Sequence, residues 1–339
     1  LALLSALRAR SRRASPELRL GIGDDCALLR PARGEEIAAT TDFSLENVHF
    51  RREWHTPESV GHRCLARGLS DLAAMGARPL AAFLSLAVPR ELAVGSRGRP
   101  SWVDRFFAGL LALADRARVP LAGGDIAESP SLGGAGLVAA DIVLLGGVRR
   151  GRALLRSGAQ AGDRIYVTGP GLGGAAAELL ALERNPRRFA ALKTFASGHP
   201  HLYPEPRVGV GRKLVSGGLA SGCIDISDGI STDLRHLCEE SGLGAEIDSA
   251  AVPIHAMARL AEAAGWTPSA LDLALHGGED YELLFTAPAD AKIPRRIAGV
   301  AVHGIGSMIQ LRKGRPTVAL AEEGRPAGEL AAKGWEHFR

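Results

Sequence analysis

The sequence predicts a mixed α/β (α+β) protein of two domains, and three observations carry that expectation. Apolar runs of strand character alternate with segments of helical period, which argues against a bundle. The 339-residue length matches about two ordinary domains. The strand-like run Leu137–Val148 ends in a polar, Gly-bearing segment, Arg149–Gly158, before a new strand begins, so the expected domains are 1–150 and 151–339. Composition agrees: 46% hydrophobic and 23% charged residues, with 42 Gly and 19 Pro, exclude disorder, collagen and coiled coil as the main architecture.

Taken in order, Leu1–Leu7 followed by Arg8, Arg10, Arg12 and Arg13 reads as a short helix, because a secretory signal places its charges before the apolar run. Strands are expected at Glu36–Thr41, Leu80–Val88, Leu137–Val148, Arg164–Thr168, Cys223–Ile226, Tyr281–Thr286 and Val300–Ile305. A helix begins after Thr56 as N-cap with Pro57 in its first turn. It points Val60, Cys64, Leu65, Leu69 and Leu72 inward and stops at Gly76. A second runs from Ser101 to about Arg118, with Ser101 and Asp104 as a capping box and Phe106, Leu110, Leu113 and Ala114 as its buried stripe. A third covers Ala175–Leu182. Pro200, Pro204 and Pro206 make His199–Pro206 a rigid loop, since prolines this close together forbid helix and central strand.

Several function classes are excluded early. A net charge of +4 and an aromatic share of 5% give little basis for nucleic-acid binding. No stretch approaches the ~18 apolar residues of a membrane span. Cys26, Cys64, Cys223 and Cys238 show no C-x-x-C spacing and are too few for a disulfide framework, so a reducing cytoplasm is expected.

The informative feature is a set of acidic residues, each expected at a strand end or a Gly/Ser-rich turn: Gly21-Ile-Gly-Asp24-Asp25, Thr40-Thr41-Asp42, Leu69-Ser-Asp71, Gly123-Gly124-Asp125 and Asp225-Ile-Ser227-Asp228-Gly229. One Asp beside Gly is an ordinary turn former. Five such places together suit Mg²⁺, which takes hard oxygen ligands from short side chains, whereas carboxylates gathered without a cation repel one another. Asp71, on a helix of apolar and small residues, is expected to be a buried carboxylate that asks for a cation. By the same argument, Asp42→Asn should leave the melting temperature unchanged or raised in EDTA.

Other motifs fail on context. Gly169-Pro-Gly171-Leu-Gly173-Gly174 matches G-x-G-x-x-G between a strand and a helix, but no acidic residue ends a second strand about 20 residues on. There is no P-loop and no Gly-x-Ser-x-Gly. His199/His201 and His236/Cys238 lack partners at zinc spacing and read as loop and helix-surface residues.

With Gly151–Ala159, Gly277-Gly-Glu-Asp-Tyr-Glu-Leu283 and Gly334-Trp-Glu-His-Phe338, these motifs resemble, in order and spacing, the thiamine-monophosphate kinase family of the aminoimidazole-ribonucleotide-synthetase superfamily. Leu69-Ser-Asp-Leu-Ala-Ala-Met-Gly76 and Gly277–Leu283 are the specific signatures. The resemblance implies a homodimer whose N-terminal sheets form a barrel across the twofold axis, the N-terminal domain binding metal and ATP, with a C-terminal α/β domain behind each. It implies transfer of the γ-phosphoryl group of ATP to thiamine monophosphate, the last step of thiamine diphosphate synthesis. Carried over by position, the Mg²⁺ ligands are Asp25, Thr40, Thr41, Asp42, Asp71, Asp125, Asp225 and Asp228. Gly124, Asp125, Arg156 and Ser227 would contact ATP, and His49, Glu279 and Trp335 the thiamine monophosphate; no general base is expected. Ile126-Ala127 stand where the family usually has two threonines. Among superfamily relatives, selenophosphate synthetase uses an N-terminal Cys or Sec and the hydrogenase-maturation dehydratase a C-terminal Cys, and this chain has no Cys after Cys238.

Overall fold

A computed structural model describes Leu7 and residues 16–22, 25–95, 98–130, 136–185, 198–312, 314, 316–324 and 326–334. The described residues divide into two compact units, one drawn from Leu1–Leu72, Arg78–Gly151 and Asn185–Gly198, the other from Ala73–Ala77, Arg152–Arg184 and His199–Arg339. Of the expected N-terminal helix only Leu7 is described, helical and buried. No helix among the described residues is long and apolar enough to cross a membrane.

The first unit opens with a small antiparallel pair, β1 (Leu18–Leu20) and β2 (Leu28–Leu29). There follow β3 (Glu35–Leu45), α1 (Pro57–Ala74), β4 (Arg78–Val88), the short α2 (Arg90–Ala93), α3 (Trp102–Ala117), β5 (Leu121–Glu128) and β6 (Ala139–Arg149). The sheet order is β3-β6-β4-β5, with β4 and β5 parallel and the other neighbours antiparallel. Helix α3 is the crossover that a parallel pair requires. Both helix starts follow the expected caps. Thr56 Oγ1 accepts the Ser59 N–H at 3.2 Å, and Ser101 and Asp104 cap each other reciprocally. The expected stripes are buried, from Val60 to Leu72 on α1 and from Phe106 to Ala114 on α3.

Helices α1 and α3 cross with their backbones in contact. A Cβ added to Gly61 would come within 2.0 Å of the Phe106 carbonyl oxygen, and one added to Gly109 within 1.9 Å of that of Glu58. Arg105 pins the crossing from the side, donating from Nε and Nη2 to the Glu58 carboxylate at 2.8 Å each.

The second unit contains β7 (Arg164–Thr168), α4 (Gly174–Arg184), α5 (Val208–Gly217), β8 (Gly222–Asp225), α6 (Ile230–Ser241), β9 (Gly244–Asp248), α7 (Ala256–Ala263), α8 (Ala270–His276), β10 (Leu283–Ala287), β11 (Arg296–Ile297), β12 (Val300–Ile309), β13 (Val318–Ala321) and β14 (Gly328–Glu329). Its sheet runs β14-β13-β9-β12-β7-β10-β8, with β11 also on β12. β9 and β13 are parallel, and the other pairs are antiparallel. Alternate residues of one strand enter different cores: Leu284 and Ile224 pack with Val167, Leu234 and Ile247, whereas Leu283, Phe285 and Cys223 pack with Leu154 and Leu214. The sheet is thus covered on both faces, and its central strands read as continuous apolar runs.

The mixed α/β, two-unit architecture matches the expectation, with differences in detail. β3 and β12 extend four residues past their expected ends, and β10 begins at Leu283 instead of Tyr281. Besides β1, β2, β11 and β14, of two or three residues each, three strands fall outside the expected set: β5, whose Gly123-Gly124-Asp125 reads locally as a turn, and the short β9 and β13. Each is held by pairing with a neighbour remote in sequence, which overrides local propensity.

The α1–α3 crossing yields a test. Gly109→Ala gains ~1 kcal/mol of helix propensity but forces the two backbones apart, and we expect a net loss of at least ~2 kcal/mol. The urea unfolding midpoint of the variant against wild type measures it.

Candidate active site

In the first unit most of the chemistry-bearing residues lie inside regular elements, Asp25 and His49 excepted. Asp42 is well within β3 and Asp125 within β5, which corrects the expectation of strand-end or turn positions for them. Side chains alternate along β3, so Thr40 and Asp42 face one side and Thr41 the other. Their partners identify the faces. Thr40 Oγ1 donates to Asp71 Oδ2 on α1, and Asp42 takes Arg67 of the same helix, at 3.0 Å from Nε and 2.8 Å from Nη2. Thr41 Oγ1 instead donates to Asp141 Oδ1 on β6 at 2.6 Å. The strand register places Asp141, Ser85 and Asp125 in one row on that opposite face.

Five of the six expected ligands of this unit therefore fall into two groups, Thr40, Asp42 and Asp71 on the helix side and Thr41 and Asp125 on the other, with Asp141 added. Among the described residues no cluster of three or more His, Cys, Asp and Glu is gathered tightly enough to hold a metal. Asp71 is half-buried and hydrogen-bonded, which corrects its expected isolation. Asp25 is exposed, and Asp24 lies outside the described residues. Gly124 precedes Asp125 with a φ of 146°. His49 sits in the turn after β3, where Nδ1 accepts the Leu45 N–H at 3.0 Å, an arrangement that assigns the ring proton to Nε2.

In the second unit, Asp225 ends β8 at 5% exposure, and Ser227 and Asp228 lead into α6. Asp233, which the sequence analysis missed, accepts the N–H groups of Asp228 and Gly229 at 3.0 Å each. Burial, and then the charges of Asp225 and Asp228, push its carboxyl well above the usual range. The available signal was an acid in the first turn of a helix that starts at a glycine.

The segment Gly277–Leu283 runs alongside. Glu279 N–H donates to Ser227 O at 2.7 Å, Tyr281 N–H to Ile226 O at 2.9 Å, and Leu283 pairs with Asp225. Asp280 turns the other way and caps α4, accepting the N–H groups of Gly173 at 2.8 Å and Ala175 at 3.3 Å. The Gly169–Gly174 fingerprint is thus occupied by the chain's own carboxylate, at the helix terminus where a dinucleotide phosphate would sit. Burial pushes Asp280 up to about 7 against the pull of those N–H donors. Glu282, 3% exposed, accepts from Thr168 Oγ1 and Arg207 Nε at 2.6 Å each.

His199 and His201 lie in a loop, as expected, and the structure adds a carboxylate partner for each ring. His199 Nδ1 lies 2.6 Å from Glu178 Oε1, a hydrogen bond that raises its pKa, and His201 Nδ1 lies 3.1 Å from Glu279 Oε2. Arg156 is exposed in a single 3₁₀ turn tied to β8 by a Leu155–Gly222 bridge. At the other end of the chain, Gly334 donates to Thr232 Oγ1 at 3.2 Å and passes so close to Asp228 that a Cβ would meet its carbonyl oxygen at 2.1 Å. Trp335 lies outside the described residues.

Comparison with known proteins places these motifs. Residues 23–148 match the family described as AIR synthase related protein, N-terminal domain, and residues 160–317 the corresponding C-terminal domain. The thiamine-monophosphate kinase of Escherichia coli strain K12 is 37% identical over 336 residues, covering 98% of this chain and 95% of that protein. The chain belongs to the thiamine-monophosphate kinase family. Family likeness extends to the fold. The crystal structure of thiamine-monophosphate kinase from Stenotrophomonas maltophilia K279a superposes with a TM-score of 0.76 at 34% identity, covering 98% of this chain and 97% of that one. A structure described as AaThiL complexed with AMPPCP and TMP gives 0.73 at 27% identity, covering 99% and 96%.

Two outcomes follow from the site electrostatics. Arg67 already compensates Asp42, so the repulsion argument fails for that residue. In EDTA, Asp42→Asn should destabilise by roughly 1–2 kcal/mol, between an exposed and a fully buried ion pair, and thermal melts should show a lower midpoint. Asp280, raised from 3.8 to about 7, holds its proton more tightly folded than unfolded. That stabilisation is complete below about pH 4 and is lost as pH rises through about 7. Asp280→Asn removes this slope, so unfolding midpoints at about pH 5 and about pH 8 should show the wild type losing stability relative to the variant.

Proposed function

We propose that this chain transfers the γ-phosphoryl group of ATP onto the phosphate of thiamine monophosphate, giving thiamine diphosphate and ADP. The observation that carries the reading is near-full-length similarity to thiamine-monophosphate kinases, together with a related structure described as complexed with AMPPCP and TMP. The side chains support several Mg²⁺ ions as cofactor. Asp25, Thr40, Thr41, Asp42, Asp71, Asp125, Asp225 and Asp228 offer only hard oxygen donors, the ligand type that Mg²⁺ takes. When bound, Mg²⁺ supplies positive charge against the ~4 negative charges of ATP and up to ~2 on the acceptor phosphate.

The chain's own residues bind and align. Arg156, exposed and able to donate charge-assisted hydrogen bonds to phosphate oxygens, serves ATP with Gly124, Asp125 and Ser227. His49, Glu279 and Trp335 serve thiamine monophosphate, the indole by stacking on the cationic ring. A phosphate monoester, with a second pKa of about 6, is already deprotonated near neutral pH, and no residue is needed as general base. Rate enhancement rests on positioning and on charges set in place before reaction.

Residues 1–150 form the metal- and ATP-binding and dimerisation domain in this reading, and 151–339 the C-terminal α/β domain. β3 lies at a sheet edge with Ile37 and Phe43 46% and 56% exposed, which supports a homodimer in which two such sheets close a barrel. Four unpaired cysteines, three of them buried, support a cytoplasmic location.

Purified protein incubated with ATP, thiamine monophosphate and Mg²⁺ should yield thiamine diphosphate by chromatography, and Asp42→Asn should reduce turnover at least tenfold. Folded wild type that makes no product would overturn the reading. Light scattering should give about twice 35.5 kDa.

A further inference from the structure

Glu279 is held unusually firmly for a residue whose side chain is 27% exposed. It adopts a left-handed φ of 58°, and Tyr281, two residues on, one of 49°. Non-glycine residues reach this region at a cost of about 1 kcal/mol or more each, and such strain persists only where surrounding contacts over-determine it. Here the backbone N–H groups of both residues are tied to the Ser227 and Ile226 carbonyls, and the carboxylate is approached on both oxygens. Tyr281 Oη lies 3.4 Å from Oε1, and His201 Nδ1 3.1 Å from Oε2.

His201 is itself 2% exposed, and a ring nitrogen buried to that degree requires a partner. Its loop is fixed from beneath by Glu178 of α4, which is fully buried. One oxygen of Glu178 accepts the N–H groups of His201 at 2.7 Å and Leu202 at 3.3 Å, and the other meets the His199 ring at 2.6 Å. Pro200, Pro204 and Pro206 remove most of the remaining freedom of the loop. A buried carboxylate on one helix thus holds the backbone of a histidine whose ring meets a partly exposed carboxylate on a strained turn.

We infer that His201 is a positioning residue for acceptor recognition: its buried ring fixes the Glu279 carboxylate in the orientation that meets thiamine monophosphate. The inference rests on the reading of Glu279 as an acceptor contact given above. The prolines and Glu178 serve the same end, because the ring can orient Glu279 only if its own backbone does not move.

Steady-state kinetics and melting temperatures of His201→Phe, His201→Gln, Glu279→Gln and the double variant His201→Phe/Glu279→Gln test it. His201→Phe keeps a ring and removes the donor. It should raise KM for thiamine monophosphate about five- to tenfold, with kcat and KM for ATP within about twofold of wild type. His201→Gln, whose amide can still donate to Glu279, should restore the acceptor KM to within about twofold. In the Glu279→Gln background His201→Phe should add less than about twofold, since the group it positions is already altered. Where His201→Phe does not fold, His201→Met, a flexible side chain of similar volume, takes its place in each comparison. An unchanged acceptor KM, an equal rise in both KM values, or full additivity with Glu279→Gln would overturn the inference while wild-type turnover stands. Wild type that forms no thiamine diphosphate would instead overturn the proposed function, and this inference with it.

Discussion

Burying carboxylates without leaving them uncompensated is the constraint on which the second unit depends. Glu282 lies at 3% exposure between β7 and the start of α5, where an ionised carboxylate without partners would cost several kcal/mol. Thr168 and Arg207 make that position tenable, and in doing so they join the end of β7 to the entry of α5. Two residues earlier, Asp280 meets the same requirement only in part, since the N–H donors at the N-terminus of α4 offset some of the burial that raises its carboxyl to about 7. With 280 and 282 committed inward, the left-handed backbone at 279 and 281 turns Glu279 toward solvent and His201. One heptapeptide thereby holds a strand, a helix start and a candidate binding carboxylate.

The first unit meets a different constraint, the alternation of a pleated sheet. Thr40, Thr41 and Asp42 are adjacent in the chain yet cannot all face one ion, because successive side chains of β3 point to opposite sides. Helix α1 claims one side through Asp71 and Arg67, and β6 claims the other through Asp141. The close α1–α3 crossing at Gly61 and Gly109 helps to hold α1 where Asp71 reaches Thr40. Packing far from the polar groups thus sets distances among them.

Phosphoryl transfer between two anions asks for charge compensation in fixed places more than for proton transfer. The side chains suit that demand. Asp42, Glu282 and Glu178 have their partners in the folded chain, and Asp225, Asp228 and Asp233 form the crowded group at the head of α6. The same principle accounts for the glycine-rich turn before α4, where an internal carboxylate takes the place of an external phosphate.

Much of this was legible in the sequence. Local rules located the caps at Thr56 and Ser101, the buried stripes of α1 and α3, and the bodies of β4, β6, β7, β10 and β12, because periodicity and capping act over a few residues. The acidic motifs and their order also sufficed to indicate the family. What local rules do not carry is pairing across the chain. Thr40 meets Asp71 across 31 positions and Gly173 meets Asp280 across 107. Strand β5 forms because β4 lies beside it, although its glycines suggest a turn. Arg67 became the countercharge of Asp42, and His201 the partner of Glu279, only when the fold brought them together, whereas Asp233 joins the acidic group through bonds four and five positions away. Residue types and their order determined the chemistry available; tertiary structure decided which charges neighbour which, because electrostatic compensation depends on distance in space and not along the chain.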